Sequence, residues 1–270
     1  MEDMGELHHF FGVKIIQQHE TGEIWTGQSV YTRNVLESLG MANSKPMPTP
    51  VDVSTELVKG DDSEKVDKAE YQSMVGSLLY LLTGTRPHIA YAVRNVSRFS
   101  AEPTTKHMTA VKRILRYLNG TFDLGLLYRK DETNECIGYS DADWARDLDD
   151  RKSTSAYIFH MGGAAISWKS KRQACVALST AEVEYMALAS AAQEAPWLRQ
   201  LLSDLKNKPT SPTLILEDNQ SAICLAKNPQ FHGRAKHIDI KYHFVPKQVA
   251  NGSIEVKYCR SDMLADLLDR

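Results

Sequence analysis

The pattern of apolar and polar positions changes character twice along the chain. Residues 7–17, LHHFFGVKIIQ, and then GEIWTG alternate well enough to predict two strands joined by a turn at Gly22, and VYTRNVLESLGM predicts a short helix after them. From Lys45 to Asp67 the periodicity is lost. Three prolines stand within residues 46–50 and a polar, acidic tract follows, which predicts an extended surface connection. Helical spacing then returns three times: in YQSMVGSLLYLLTG, in HIAYAVRNVSRFS after Pro87, and in TTKHMTAVKRILRYLNG with its stop at Gly120. The polar run KDETNE, residues 130–135, marks a boundary, because consecutive strands follow it. We therefore divide the chain into regions 1–130 and 131–270.

In the second region strands are predicted at 136–141, 155–161 and 164–169, with MGGA as the turn between the latter two, and a further strand at 173–178. WKSKR, residues 168–172, reads either as a basic patch beside Trp168 or as a β-turn. A long alanine- and leucine-rich helix over 181–205 is capped by Ser179 or Thr180, with a kink or local disruption at Pro196. A strand TLILE, a helix over 219–227, a helical stretch after His237, a strand SIEVKY and a terminal helix DMLADLLDR complete an α/β order.

Composition narrows the class without choosing a function. A 42% apolar content over 270 residues is enough for one large core or two modest ones. A formal charge of -2 argues against a protein that coats nucleic acid by bulk positive charge, though local basic patches can coexist with acidic sites. The four cysteines lie far apart with no C-x-x-C pair, so buried reduced thiols are expected. No run approaches the roughly 18 apolar residues of a membrane span, and no basic-then-apolar leader opens the chain. These features predict an intracellular protein, cytoplasmic or nuclear, without a membrane partner.

The candidate chemistry lies in four carboxylates that apolar elements deliver: Asp141 ending the first strand of CIGYSDADW, Glu184 in the long helix, Asp218 after TLILE, and Asp266 in the last helix. Glu184 competes with Glu182. At helical spacing Glu184 shares a stripe with Ala187, Leu188, Ala191, Ala195, Leu198 and Leu202, whereas Glu182 runs with Tyr185, Gln193 and Gln200, so Glu184 is the acid on the packed face. A carboxylate there is costly unless it is paired or bound to a cation, and several together favour a hard, oxygen-seeking metal such as magnesium. Asp143, two residues beyond Asp141, is an auxiliary candidate; Asp147, Asp149 and Asp150 read as a solvated loop.

The long motifs around these acids carry a resemblance. YSDADWARDLDDRKSTSAYIFHMGGAAISWKSKRQACVALSTAEVEYMAL, EDNQSAICLAKNPQFHGRAKHIDIKYHF and MLADLL resemble the ribonuclease H domain of copia-type retrotransposon Pol polyproteins. MGELHHFFGVKI, YQSMVGSLLYLLTGTRPHIAYAV and HMTAVKRILRYLNGT are similar to the end of the reverse transcriptase and its connection in the same polyproteins. The resemblance implies a ribonuclease H-like mixed sheet with flanking helices over 131–270, preceded by a smaller α+β or helical thumb and connection region. It implies that Asp141, Glu184, Asp218 and Asp266 are catalytic and hold two Mg2+ ions, with Mn2+ as a substitute, for hydrolysis of the RNA strand of an RNA–DNA hybrid. No Tyr-x-Asp-Asp turn occurs, so polymerase activity is not expected, and the missing polymerase part is an implied partner.

Other features surround this constellation. Trp168, Lys169, Lys171 and Arg172 of WKSKR, together with His237, are candidates for contact with nucleic acid, as is a basic helix face of Lys106, Lys112, Arg113 and Arg116. The motifs also depart from the family: Arg146 stands where Gly is usual, Ala156 where Gly is usual, His88 where Asp is usual, and Pro196 and Pro246 fall in helical segments. Such departures suit a decayed or repurposed copy that binds nucleic acid or protein. The Arg113-Ile114-Leu115-Arg116 run also matches the Arg-x-Leu-Arg pattern of secreted oomycete effectors, although the copia-type motif accounts for it.

Overall fold

The computed structural model describes residues 5–52, 54–130, 134–144, 147–177, 179–227, 239–260, 265 and 268, with the backbone alone for 239–242. The chain divides into two compact units, Met1–Asp131 and Glu132–Arg270.

In the first unit four strands, β1 (His9–Phe10), β2 (Val13–Gln18), β3 (Glu23–Gly27) and β4 (Leu126–Tyr128), form an antiparallel sheet in sequence order. The expected single strand over 7–17 is instead two strands, because Phe11 and Gly12 both take positive φ, 44° and 70°, and fold β1 back on β2. Strand β4 was not expected; it is three residues long and has no readable alternation, yet it pairs with β3 from Ile24 to Thr26. Four helices, α1 (Ser29–Ser38), α2 (Lys68–Gly84), α3 (Ala90–Ser97) and α4 (Thr105–Gly120), supply the core. Asp67 caps α2 through Glu70 N at 2.7 Å, and Thr104 with His107 forms a capping box on α4. Leu78, Leu81, Val93, Val111, Leu115 and Leu118 are almost wholly buried between them.

The extended tract over 45–67 is tied to α4. Arg113 donates to Thr49 Oγ1 at 2.9 Å and pairs with Asp52 at 3.3 Å, Arg116 Nε donates to Lys45 O at 2.7 Å, and Thr104 Oγ1 donates to Asp61 Oδ2 at 3.2 Å. Ile114 and Leu115 point into the core. The RILR run is thus an ordinary helix turn whose arginines hold this tract, and two of the four cations of the expected basic face are spent on it.

The second unit is a five-stranded mixed sheet in the order β7-β6-β5-β8-β9. Its strands are β5 (Ile137–Ala142), β6 (Thr154–Met161), β7 (Ala164–Arg172), β8 (Thr213–Glu217) and β9 (Ile254–Tyr258). The first three are antiparallel, while β8 runs parallel to both β5 and β9. Gly162 and Gly163, at φ 60° and 81°, make the β6–β7 turn, the geometry a two-residue hairpin requires. Gly138 is required for a different reason: a Cβ there would sit 2.5 Å from the Phe159 ring, which is fully buried on the neighbouring strand. Strand β7 continues through Arg172, so WKSKR is strand rather than turn, and 173–178 holds no strand among its described residues. Gln173 instead leaves the sheet to donate to Ser155 Oγ at 2.8 Å and to Val183 O at 3.1 Å.

Helices α5 (Thr180–Asp204), α6 (Gln220–Lys227) and α7 (Asp239–Ala250) cover the sheet. Helix α5 runs 25 residues without interruption, so the disruption expected at Pro196 does not occur. Ala189, Ala191, Ala192 and Ala195 are wholly buried around it. Packing on the sheet holds this turn in helical form despite the hydrogen bond that proline cannot make. Pro246 likewise lies inside α7. The terminal helix expected over 262–270 falls mostly outside the described residues, of which Ala265 and Leu268 are fully buried.

Candidate metal centre

The centre is assembled from three elements whose geometry follows from the sheet. Parallel pairing of β5 and β8 sets Ile137 opposite Leu214, Gly138 opposite Ile215 and Tyr139 opposite Leu216, a constant offset of 77 positions. Asp141 and Asp218 differ by the same offset, so both arrive at the same end of two adjacent strands. Glu184 comes from the second turn of α5, whose start is fixed by Ser179 Oγ accepting from Glu182 N at 3.3 Å. Val183 and Ala187 pack against Ala142 of β5, which brings that turn onto the strand.

One carboxylate oxygen from each of Asp141, Glu184 and Asp218 lies within 4.8 Å of the other two. Asp141 is 1% exposed, while Glu184 and Asp218 are half-buried. The donor set is three hard carboxyl oxygens, each within 4.8 Å of the other two, the type of ligand that magnesium and manganese prefer. These residues fit magnesium or manganese. Asp266, the fourth expected acid, and His237 lie outside the described residues.

Two neighbouring acids have other work. Asp143 accepts a short hydrogen bond from Thr154 N, and its own N donates to Thr154 O at 3.1 Å, so it fastens the end of β5 to the start of β6. Asp147 was expected in a solvated loop, but it is 9% exposed and pairs with Arg172 Nε at 2.5 Å, and Asp150 pairs with the same guanidinium. Arg172 therefore spends its charge on this loop. Of the expected nucleic-acid contacts, Lys169 and Lys171 are exposed on one face of β7 and Trp168 is half-buried on the other.

One residue at the centre escaped the sequence reading. Glu217, adjacent to Asp218, is fully buried and its Oε2 accepts from Ser140 Oγ at 2.6 Å, with Oε1 3.3 Å from Asn219 N. Burial pushes its carboxyl up to about 8, helped by the charges of Asp218 and Asp141 against the opposing hydrogen bonds. The signal was present in TLILE: Thr213, Ile215 and Glu217 alternate onto the buried face. The Ser140–Glu217 bond ties β5 to β8 one residue before each aspartate.

The motifs and the fold agree with the relatives the chain finds. No family model matches it. Over 287 aligned residues it is 39% identical to a retrovirus-related Pol polyprotein from transposon TNT 1-94 of Nicotiana tabacum, an alignment that takes in 100% of this chain and 21% of that protein. The chain belongs to the copia-type retrotransposon Pol polyprotein family. It spans about a fifth of the length of the polyproteins it matches. It is also 50% identical over 128 residues to secreted RxLR effector protein 161 of Plasmopara viticola, covering 47% of this chain and 90% of that protein. Among solved structures, the foamy viral protease-reverse transcriptase in complex with RNA/DNA hybrid aligns with a TM-score of 0.51 at 13% identity, covering 95% of this chain and 29% of that one. That likeness concerns fold alone. The mixed sheet with flanking helices is ribonuclease H-like, and no helix among the described residues is long and apolar enough to cross a membrane.

Proposed function

We propose that residues 132–270 form a ribonuclease H domain that hydrolyses the RNA strand of an RNA–DNA hybrid, and that residues 1–131 are the end of the reverse transcriptase with its connection. The observation that carries this reading is the convergence of Asp141, Glu184 and Asp218 within 4.8 Å, on the strand ends and helix face that the family motifs mark. These three carboxylates, with Asp266 as the fourth by resemblance, would hold two magnesium ions. Bound there, magnesium would supply Lewis-acid activation of a water and neutralise charge on the leaving oxygen. The protein's share is to hold the acids in register: Ser140 and Glu217 join the two strands, and Ser179 fixes the start of the helix that presents Glu184. Exposed Lys169 and Lys171 would meet the hybrid backbone, with an affinity that falls as salt rises. The polymerase part of the polyprotein is the implied partner.

The test is release of labelled RNA from an RNA–DNA hybrid in Mg2+ or Mn2+. Asp141→Asn and Glu184→Gln are each expected to lower cleavage by about 100-fold or more, while leaving circular dichroism and hybrid binding unchanged and weakening Mn2+ binding in titration calorimetry. A folded wild-type protein that cleaves no hybrid would overturn the reading. It would favour a second one, a module that binds nucleic acid or protein without catalysis, to which the effector relative points.

A further inference from the structure

A cavity of about 340 Å³ opens within the first unit, between helices α3 and α4 and the extended tract that crosses them. Val96 of α3 and Ile114 of α4, both almost wholly buried, form its floor. Met41, with Met47, Val51 and Leu57 of the tract, forms its outer wall, and all four are half-buried. Polar ties hold the tract in place over α4: those of Arg113 to Thr49 and Asp52, that of Arg116 to Lys45 O, and Asn119 Nδ2 donating to Ser44 O at 2.8 Å. The apolar side chains between and beyond these ties leave the space unfilled. Folded interiors hold few voids larger than a water molecule, whereas small-molecule sites run from roughly 300 to 1,000 Å³. The opening has the size of a ligand site and not of a packing defect.

Its charge is one-sided. Lys106, Lys112, Arg113 and Arg116 line it against a single carboxylate, Asp52, which Arg113 already takes. Lys106, Thr109, Ala110 and Arg113 stand at i, i+3, i+4 and i+7 of α4, so one helix face carries both the wall and its cations. Arg113 and Arg116 are spent on the tract, but Lys106 and Lys112 are exposed and form the mouth. Lys112 has no ion-pair partner among the described residues, and Lys106 meets only the longer-range field of Asp61. A neutral apolar molecule would leave these charges unused, and a cation would be repelled by them. A nucleic-acid base pressed against chiefly apolar walls would leave its hydrogen-bonding edge unpaired. We propose that this cavity binds a small amphipathic anion, an apolar body bearing one carboxylate. The body lies against Val96, Ile114 and the tract, and the head stays at the mouth in the field of Lys106 and Lys112.

The probe is decanoate, titrated into the full chain below its aggregation threshold, with decyltrimethylammonium as a control of matched tail and opposite charge. Spectra of the protein carrying 13C at its methionine methyl groups report where the probe sits, with Met41 and Met47 assigned through Met41→Leu and Met47→Leu. Decanoate is expected to shift these two signals and to leave those of Met161 and Met186, in the second unit, in place. Decyltrimethylammonium is expected to bind about tenfold more weakly or not at all. The double variant Lys106→Glu with Lys112→Glu is expected to weaken decanoate about tenfold as well, with circular dichroism unchanged because both side chains are exposed. The two wild-type readouts keep the test open if that variant fails to fold. Decyltrimethylammonium binding as tightly as decanoate, Met41 and Met47 signals that do not move, or an unchanged decanoate Kd in the folded double variant would each overturn the proposal.

Discussion

At the scale of single residues, two ionisable clusters are opposites. Asp141, Glu184 and Asp218 bring three carboxylates together, whereas Arg86 and His88 bury nitrogen atoms that meet no hydrogen-bond partner among the described residues. His88 makes the second case measurable. Burial first, and then the neighbouring Arg86 charge, lower its imidazole to about 4. Its folded pKa thus lies below the unfolded value near 6.5, and between the two the unfolded chain binds the extra proton. The stability His88 contributes is therefore fully present above about pH 6.5 and is lost as pH falls toward 4. The ceiling is about 3 kcal/mol, from about 1.36 kcal/mol per pKa unit. Urea unfolding should show the wild-type protein losing stability relative to His88→Gln between pH 7 and pH 4.5; a constant difference would show that His88 is not held neutral. Glu217 teaches a complementary lesson. Its place beside Asp218 and its alternation with Ile215 were readable, but its importance was not, because only the paired strand shows Ser140 opposite it.

At the scale of elements, most helices and strands were legible because their periodicity is strong, and Ser179, one of the two caps the sequence offered for the long helix, stands where that helix begins. What was not legible depended on partners distant in sequence. Strand β4 exists through its pairing with β3, about a hundred positions earlier. WKSKR is strand because β6 supplies Tyr157 opposite Lys169 and Ser155 opposite Lys171, overriding the turn-like run of charge. Pro196 is the sharpest instance. Local propensity expects disruption, yet α5 continues through it. Removing the ring restores the N–H that proline lacks and a hydrogen bond to the carbonyl of Ala192. Pro196→Ala is accordingly expected to raise stability by about 1–3 kcal/mol, read from the denaturation midpoint at unchanged slope. An unchanged or lower midpoint would mean that the proline ring packs favourably enough to offset the missing bond.

At the scale of the molecule, each sheet is built from one side of the boundary: the four-stranded sheet from residues 9–128 and the five-stranded sheet from residues 137–258. Each unit also has its own core, with Leu78, Val111 and Leu118 central to one and Phe159, Leu188 and Ile215 to the other. The polar run KDETNE marked this change of pattern in the sequence, and the compact units meet at Asp131 and Glu132. A domain of 139 residues is large enough to bury roughly two-thirds of the surface its unfolded chain exposes, which is ample for independent folding. All three acids of the candidate metal centre lie within it, as do the strands and helix that position them. Residues 132–270 alone should therefore unfold in one cooperative transition and show the same Mn2+-dependent rise in Tm as the full chain, by calorimetry with and without metal. An unfolded fragment would show that the second unit needs the first to fold. A folded fragment that has lost the metal response, with Asp141→Asn unchanged from it, would instead place the metal dependence of the full chain outside this centre.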